Sequence, residues 1–486
     1  MVCSALLGFA VAASLASVLA EFNPLHHSGP ASPYFDAPSQ LGISTETPDG
    51  CVVDQAAYIL RHGSRYPEPG SFAGWQALFN KFQGASYTAR GPLAFIPSWT
   101  PPIDDPPHEP LFLTSTGAGE AFALGVDLRK RYGFTKGGDG LTVWAASQQR
   151  VLDTASYFLH GYLSQGNYLT NTSLNRGTTI SLPDSVNFTF ANSLTSSNSC
   201  PLYPTGDKSA LANTFRATYQ SNIAKRLNHF LNGLTLNATD IGPMQDLCGF
   251  QTEVNGDSRF CDVFQTSEWL DYEYAHDLNY YYGSGPGNPF SATTGFPWLK
   301  AVTDLFALGP NKTTPTGTFT PPPLLMSFTH DNNIPPVLSA LGLWNESFVS
   351  PLSPTHPDPR RHFHASYLVS FFGHIALERL SCGPPMPDMV KHVVGQIVPV
   401  PGKGSNTKKF VRVRINNAPV PIPGCTSGPG SSCSLQQFEQ YVNVNRAKAS
   451  GDFVTRCGLQ NVKNASSTLN FFTNLPLNSA IQLPLP

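Results

Sequence analysis

The sequence predicts an α/β fold, in which a mixed, largely parallel sheet is covered by helices and a helical cap is inserted between the halves of the core. Two apolar runs, 55–60 and 324–328, have the length of buried strands, and each leads into a segment with helical features. Strand signals become sparse between about 156 and 294, where helical stretches alternate with polar loops. We therefore predict a core formed by 21–155 and 295–486, with the cap at 156–294.

The amino-terminal half of the core begins with an irregular segment, because residues 21–50 are polar and rich in Pro, Ser and Gly. The strand at Gln55–Leu60 is followed by Ser71–Phe82, whose apolar residues have helical spacing. Residues 97–110 contain six prolines and are predicted as a loop. Apolar residues at 121, 124, 128 and 132 predict an amphipathic helix over Gly117–Tyr132.

The predicted cap contains helical stretches at Leu211–Leu231 and Ser267–Tyr282. After the second apolar run, prolines at 335 and 336 and a glycine at 342 are typical of the start and end of a short helix. Ser366–Phe372 and the alternating segment Phe410–Ile415 are predicted as further strands.

The first twenty residues indicate the cellular location of the protein. Ala5–Leu19 is apolar and uncharged, and it ends in the small-residue sequence Val18-Leu19-Ala20, which is typical of a signal peptide over residues 1–20. A membrane anchor is the alternative, but the run is short of the roughly twenty residues that a span needs. We predict a secreted, extracellular protein with no membrane association.

The cysteines and glycosylation motifs agree with secretion. Of nine cysteines, Cys3 lies in the predicted signal peptide, and the remaining eight predict four disulfides. Spacing alone leaves 105 possible pairings of eight cysteines open. Six Asn-x-Ser/Thr motifs predict N-linked glycans, at Asn171, Asn187, Asn237, Asn311, Asn345 and Asn464.

The charge composition excludes some partners. Charged residues make up 13% of the chain, about half of the usual share. The formal net charge is −2, without basic blocks, so a nucleic acid or an anionic membrane is not an expected partner. Any attraction for phosphate must come from a local cluster.

Two strand-to-loop junctions contain residues that could act as catalytic groups or bind a ligand. The first is Arg61-His62-Gly63-Ser64-Arg65 and the second is His330-Asp331. Ligands of open α/β sheets bind at the carboxyl ends of strands. Arginine has a planar fork that fits phosphate oxygens, and a neutral histidine is a competent nucleophile. These junctions predict a phosphate site.

The segment 61–67, Arg-His-Gly-Ser-Arg-Tyr-Pro, resembles the RHGxRxP signature of the histidine acid phosphatases, and His330-Asp331 resembles their HD pair. Supporting matches include Ser147–Val151, Tyr280–Asn288 and Phe328–Ile334. The resemblance is to the secreted fungal branch, which contains phytases and acid phosphatases of broad specificity. It implies the phosphoglycerate-mutase-like fold, with the site in the cleft between core and cap.

The resemblance also implies the roles of individual residues and needs no metal or cofactor. His62 and Asp331 would be catalytic, as nucleophile and general acid. The phosphate would be bound by Arg61, Arg65, Arg150 and His330. The implied disulfides are Cys51–Cys382, Cys200–Cys457, Cys248–Cys261 and Cys425–Cys433. Without the resemblance, Arg150 reads as a helix-surface arginine and His330-Asp331 as a helix cap.

The substrate predicted in this way is a small phosphate monoester, with phytate as the alternative. Some relatives have a further arginine where this chain reads Val143–Ala146, which argues against a strongly basic pocket. Glu268, Asp271 and Glu273 either form a solvated helix face or add negative charge near the mouth. A non-catalytic glycoprotein that binds phosphorylated ligands and a phosphoglycerate mutase are the other interpretations.

Overall fold

The computed structural model describes most of the chain after the predicted signal peptide. The described residues are 22–39, 41–136, 139–164, 176–184, 190–204, 209–314, 320–345, 351–383, 385–393, 396–401, 407–474, 476 and 482–484. The predicted signal peptide and the motifs at Asn171 and Asn187 lie outside them. The other four glycosylation motifs have exposed asparagines.

The strands are, in chain order, β1 (Cys51–Arg61), β2 (Thr88–Ala89), β3 (Leu141–Ala146), β4 (Gly177–Leu182), β5 (Leu231–Asn232), β6 (Leu324–Thr329), β7 (His374–Cys382), β8 (Pro385–Val393), β9 (Gln396–Pro401), β10 (Lys408–Ile415), β11 (Ala418–Val420), β12 (Cys433–Ser434) and β13 (Gln482–Pro484). Nine of these described strands form one sheet in the order β11-β10-β7-β1-β6-β3-β4-β13, with β12 on β10. β2 pairs with β5, and β8 with β9.

The centre of the sheet is parallel and its edges are antiparallel. β1, β6, β3 and β4 pair in parallel, whereas β7 and β10 pair antiparallel on one side and β13 on the other. The predicted α/β class with a mixed sheet is confirmed, as are the predicted strands in β1, β6 and β10. The expectation that this sheet is largely parallel is wrong, because five of its eight described strand pairings are antiparallel. β6 is buried at every residue, as expected for a strand covered on both faces.

The helices are α1 (Pro69–Gln83), α2 (Ser115–Tyr132), α3 (Gln149–Leu163), α4 (Ala210–Asn228), α5 (Ala238–Asn255), α6 (Thr266–Gly283), α7 (Ser291–Leu308), α8 (Ile334–Leu341), α9 (Ala365–Val369), α10 (Leu435–Gln440), α11 (Ala447–Ser450) and α12 (Phe453–Arg456). A π-helical stretch, Tyr441–Arg446, joins α10 to α11. The helices predicted near residues 71–82, 117–132, 211–231, 267–282 and 335–342 are confirmed. No helix in the described part of the chain is long and apolar enough to cross a lipid bilayer.

Helices cover both faces of the sheet. Trp298 of α7 donates to Ser327 of β6 at 3.1 Å, while the ring of Phe158 in α3 lies 5.4 Å from that of Phe328. Ser327 and Phe328 are consecutive, so their side chains point to opposite faces. The parallel centre of the sheet is therefore sandwiched between α3 and α7.

Helix α4 packs against α5 and α6, and α5 also contacts α1 and α2. Helices α4, α5 and α6 form the helical part of the predicted insertion, whose limits at 156 and 294 stay a prediction. The sequence analysis missed β4, which lies inside that range but belongs to the main sheet. Its sequence, Gly-Thr-Thr-Ile-Ser-Leu, contains too few apolar residues to stand out.

Two other sequence interpretations are wrong. Ser366–Phe372 is not a strand: α9 covers its first part, and the next strand begins at His374. A short apolar run fits a buried helical turn as well as a strand. Glu268 and Glu273 do not form a solvated face, because both are buried, Glu268 against Arg226 and Glu273 against Arg361.

The four disulfides are the pairs that the resemblance implies, Cys51–Cys382, Cys200–Cys457, Cys248–Cys261 and Cys425–Cys433. Cys51 and Cys382 are register partners on β1 and β7. This bond therefore links the first strand of the sheet to a strand far along the chain.

Helices α2 and α3 touch backbone to backbone, and this contact gives a test of the packing. A Cβ on Gly161 of α3 would lie 1.9 Å from the carbonyl oxygen of Phe122 in α2. Gly161→Ala should lower the free energy of unfolding by about 1–3 kcal/mol, since the helices must separate. Gly119 of α2 has nothing within 4 Å of its Cβ position, so Gly119→Ala should be neutral or stabilise by up to about 1 kcal/mol. Urea midpoints of the two variants measure the difference, and equal midpoints would contradict this packing.

Candidate active site

Three neighbouring strands end at the same edge of the sheet, and the residues that the sequence analysis singled out follow them. β1, β6 and β3 are adjacent and parallel. Arg61 pairs with Thr329 at the ends of β1 and β6, and the His62 amide donates to the Thr329 carbonyl at 3.0 Å. The ring centroids of His62 and His330 are 5.6 Å apart. Arg150 enters the same region from the first turn of α3, after β3.

The ring of His62 is buried and oriented by its own loop. Its Nδ1 lies 2.9 Å from the carbonyl oxygen of Gly63. A carbonyl oxygen only accepts, so Nδ1 carries the hydrogen and Nε2 of the neutral ring carries the lone pair. Burial, reinforced by the charges of neighbouring arginines, holds the pKa of His62 well below its usual value. The ring is therefore neutral even in mildly acidic solution.

The loop that carries His62 is tied to the helix that carries Arg150. The Gly63 amide donates to Thr154 Oγ1 at 3.0 Å, and the Thr154 hydroxyl donates to the Arg150 carbonyl at 2.7 Å. A Cβ at Gly63 would lie 2.5 Å from Cζ of Phe372. Glycine is therefore needed here for close packing of the loop.

Arg61 is fully buried and is fixed from several directions. Its Nη1 donates to the carbonyls of Pro30 and Val369 at 2.5 and 2.7 Å. Its Nη2 lies 3.1 Å from Oδ2 of Asp331, and the guanidinium lies 4.5 Å from the centre of the Phe371 ring. These contacts leave the side chain little freedom to reorient.

Arg65 and Arg150 bring two more guanidinium groups to the cluster. Arg65 Nη1 lies 2.8 Å from a Glu68 carboxylate oxygen and 2.8 Å from the Tyr66 carbonyl. Arg150 Nη2 lies 3.3 Å from Nδ1 of His330. A guanidinium only donates, so Nδ1 of His330 accepts and the hydrogen of its neutral ring is on Nε2. Burial, followed by the Arg150 charge, lowers the pKa of His330 to about 4.

Four buried N–H donors of this cluster have no hydrogen-bond partner within the described structure. They are Nε of Arg61, Arg65 and Arg150 and Nε2 of His330. An unpaired buried donor costs about 1–3 kcal/mol. Burial and the charges of the other two arginines lower the pKa of Arg150 to about 10, so it remains charged. The cluster therefore suits a ligand with several anionic oxygens, such as phosphate.

Asp331 is the acidic member of the cluster. Its Oδ2 accepts from the Tyr280 hydroxyl at 3.0 Å and lies beside Arg61. Burial alone raises the pKa of Asp331, but the charges of Arg61 and Arg65 outweigh it and hold the pKa below the usual value. In the free protein this carboxyl is therefore ionised.

Sequence reasoning missed several residues of the site. Tyr280 of α6 contacts Asp331, Thr154 contacts Gly63, and Glu68 contacts Arg65. No sequence spacing relates Tyr280 to Asp331, because the fold alone brings α6 to the end of β6. A cavity of about 520 Å³ lies beside them, lined in part by Tyr280 and Asn332, and its described lining contains no charged residue.

Comparisons with known proteins agree on one family. The family model of the histidine phosphatase superfamily (branch 2) matches residues 52–416 of the sequence. An acid phosphatase of Komagataella pastoris is 32% identical, over 92% of this chain and 89% of that protein. A phytase of Candida albicans is 29% identical, over 95% and 93%. The solved structure of the phytase from D. castellii superposes with a TM-score of 0.77 at 26% identity, over 95% and 94% of the two chains.

The protonation state of His62 gives a test of this geometry. Nitrogen-15 NMR of histidine-labelled protein at pH 5 should show a neutral ring with its hydrogen on Nδ1, because the buried ring faces arginine charges. The signal lost in His62→Asn assigns the resonance. A doubly protonated imidazolium at that pH would contradict the arrangement.

Proposed function

Because the chain belongs to the histidine phosphatase superfamily (branch 2) and is a phosphatase, we propose that it hydrolyses phosphate monoesters through a phosphoryl group carried on Nε2 of His62. The observation that carries the proposal is the set of four unpaired buried N–H donors in the cluster that contains this ring. Phosphoryl transfer depends mainly on positioning and charge stabilisation. A cluster of fixed cations beside a neutral imidazole supplies both.

In the first step the Nε2 lone pair of His62 forms an N–P bond while the P–O bond to the leaving group breaks. The phosphoryl oxygens are bound by Arg61, Arg65, Arg150 and His330. These donors neutralise the charge that spreads over the phosphoryl oxygens in the transition state. Arg61 is already held by two carbonyls, so it needs little reorganisation during the reaction.

Asp331 supplies the proton that the leaving oxygen takes. In the free protein its pKa is low because of Arg61 and Arg65. A bound phosphate competes for these cations and adds negative charge, so the pKa of Asp331 rises and the carboxyl is able to hold a proton. In the second step water attacks phosphorus, Asp331 takes its proton, the N–P bond breaks and inorganic phosphate leaves.

Both groups suit an acidic medium. An ordinary histidine is protonated and not nucleophilic at pH 5, whereas the depressed pKa of His62 keeps its lone pair available. Asp331 in turn donates better as the pH falls, since more of the bound complex carries the proton. The proposed activity is therefore that of an acid phosphatase.

Broad specificity for small phosphate monoesters is the substrate range that the described charges favour. Arg65 is already paired with Glu68, and the cavity beside Asp331 has no charged group in its described lining. Phytate would bring further phosphate groups, which bind best to additional cations. A substrate with an uncharged leaving group needs no additional cations.

Phytase is the second candidate, because a curated relative and the superposed D. castellii structure are both phytases. The two candidates share their chemistry and differ in the leaving group. A kcat/KM for phytate that equals or exceeds that for p-nitrophenyl phosphate would favour phytase.

We also propose that the protein is secreted and carries N-linked glycans. Four disulfides are typical of an oxidising compartment. Four of the six motif asparagines are described, and all four are exposed: Asn237, Asn311, Asn345 and Asn464.

The proton-donor role of Asp331 is tested by substrates that differ in their leaving groups. Asp331→Asn keeps the size of the side chain but removes the transferable proton. It should slow an alkyl phosphate by about a hundred- to ten-thousand-fold and p-nitrophenyl phosphate much less, since that phenolate leaves without protonation. Steady-state kcat/KM values for both substrates measure the difference.

Arg150→Ala is the matched control, because it removes a ligand of the phosphoryl group that both substrates share. It should slow both substrates by similar factors. If Asp331→Asn also slowed both equally, Asp331 would position the site and the proton donor would be another residue.

A further inference from the structure

Ser64 occupies the first x position of the RHGxRxP signature, in the loop that carries His62. It contacts two carboxyl groups from different helices. Its Oγ lies 2.5 Å from Oε2 of Glu253 in α5 and 2.9 Å from Oε2 of Glu120 in α2. Glu253 is buried and Glu120 is half-buried. The reaction proposed above uses none of these three residues.

A count of hydrogens favours an extra proton in the cluster. The Ser64 hydroxyl has one hydrogen, and an ionised carboxylate has none. If Glu120 and Glu253 were both ionised, the two contacts would have to share the single hydroxyl hydrogen, or one contact would join two oxygens without a hydrogen. One protonated carboxyl donates to Ser64 Oγ while the hydroxyl donates to the other, which satisfies both contacts.

The charges around the pair favour that proton. Among the described residues, no lysine or arginine forms an ion pair or hydrogen bond with Glu120 or Glu253. Burial and the negative charge of Glu253 raise the pKa of Glu120 to about 7, and burial raises the pKa of Glu253 despite its hydrogen bond from Ser64. Arg65, the adjacent cation of the loop, binds Tyr66 and Glu68 instead.

The cluster supports the part of the loop that orients the site. The Ser64 carbonyl accepts from the amide and the hydroxyl of Thr114, at 2.9 and 3.0 Å. A Cβ on Gly117 of α2 would lie 2.2 Å from the same carbonyl oxygen. The loop therefore packs directly against the first turn of α2. Ser64 lies between Gly63, whose carbonyl orients the His62 ring, and Arg65.

We propose that Ser64, Glu120 and Glu253 are positioning residues that share one proton, and that loss of this proton lowers activity on the alkaline side before Asp331 loses its proton in the bound complex. The proposal rests on the proposed function of His62. Two ionised carboxylates on one hydroxyl repel each other. That repulsion displaces Ser64 and, with it, the carbonyl that orients His62 and the backbone of Arg65.

The test compares pH profiles of kcat/KM for p-nitrophenyl phosphate between pH 4 and 9. Glu120→Gln and Glu253→Gln each replace a titrating carboxyl by an amide that always has hydrogens to donate. Each variant should keep wild-type kcat/KM at pH 5 within about threefold, while its alkaline limb moves to higher pH by about one unit or more. Asp127→Asn, at an exposed position of the same helix as Glu120, is the control and should leave the profile unchanged.

Stability gives a second readout. Glu120 has a raised pKa in the folded state, so it stabilises the fold below the unfolded pKa near 4.5 and loses that contribution as the pH rises toward 7. The melting temperature of the wild type should therefore fall from pH 5 to 7 more steeply than that of Glu120→Gln.

An unshifted alkaline limb in both active variants, or a uniform loss of activity at every pH, would overturn the proposal. Either result would leave the phosphatase assignment intact, because that assignment fails only if wild-type protein lacks activity at acid pH. If the glutamine variants do not fold, Ser64→Ala provides the alternative test. It removes the shared hydroxyl and should lower kcat at pH 5 more than it changes KM.

Discussion

The parallel pairing of β1 with β6 is the interaction on which the site depends. Arg61 and Thr329 are register partners, and the His62 amide continues the ladder by donating to the Thr329 carbonyl. A shift of one residue would turn every side chain of β1 to the opposite face. The same register that buries both strands therefore places the His62 and His330 rings side by side, with Asp331 next in the chain.

The second constraint is the concentration of positive charge at this edge. Three neighbouring guanidinium groups, of which those of Arg61 and Arg65 are buried, destabilise one another. The fold offsets this with the carbonyls of Pro30 and Val369 and the carboxylates of Glu68 and Asp331. The Nε donors still lack partners. A bound phosphoryl group would satisfy them, so the strain of the free site and the proposed binding of phosphate have the same origin. Burial, together with the same charges, lowers the pKa of His62 and keeps its ring neutral in acid.

The sequence was sufficient for the parts that local patterns determine. The signature loop, the HD pair and the amphipathic stripe of α2 were predicted and lie where expected, because each is a short segment with its own pattern. Ser366–Phe372 was misread, since an apolar run has no period that separates a buried turn from a strand. Contacts such as Tyr280 with Asp331, or Ser64 with Glu253, join distant segments and depend on how the helices pack. Glu268 and Glu273 are buried for the same reason, because their arginine partners come from elsewhere in the chain.

In the proposed reaction the phosphoryl group passes through His62. The most direct measurement is to mix the protein with a phosphorus-32-labelled monoester at acid pH, quench within milliseconds in alkali, where phosphohistidine survives, and map the labelled peptide. We expect label on the peptide that contains residues 61–65, at up to one equivalent per protein molecule, and no label in His62→Ala. Turnover without label on His62, or label on another residue, would contradict it.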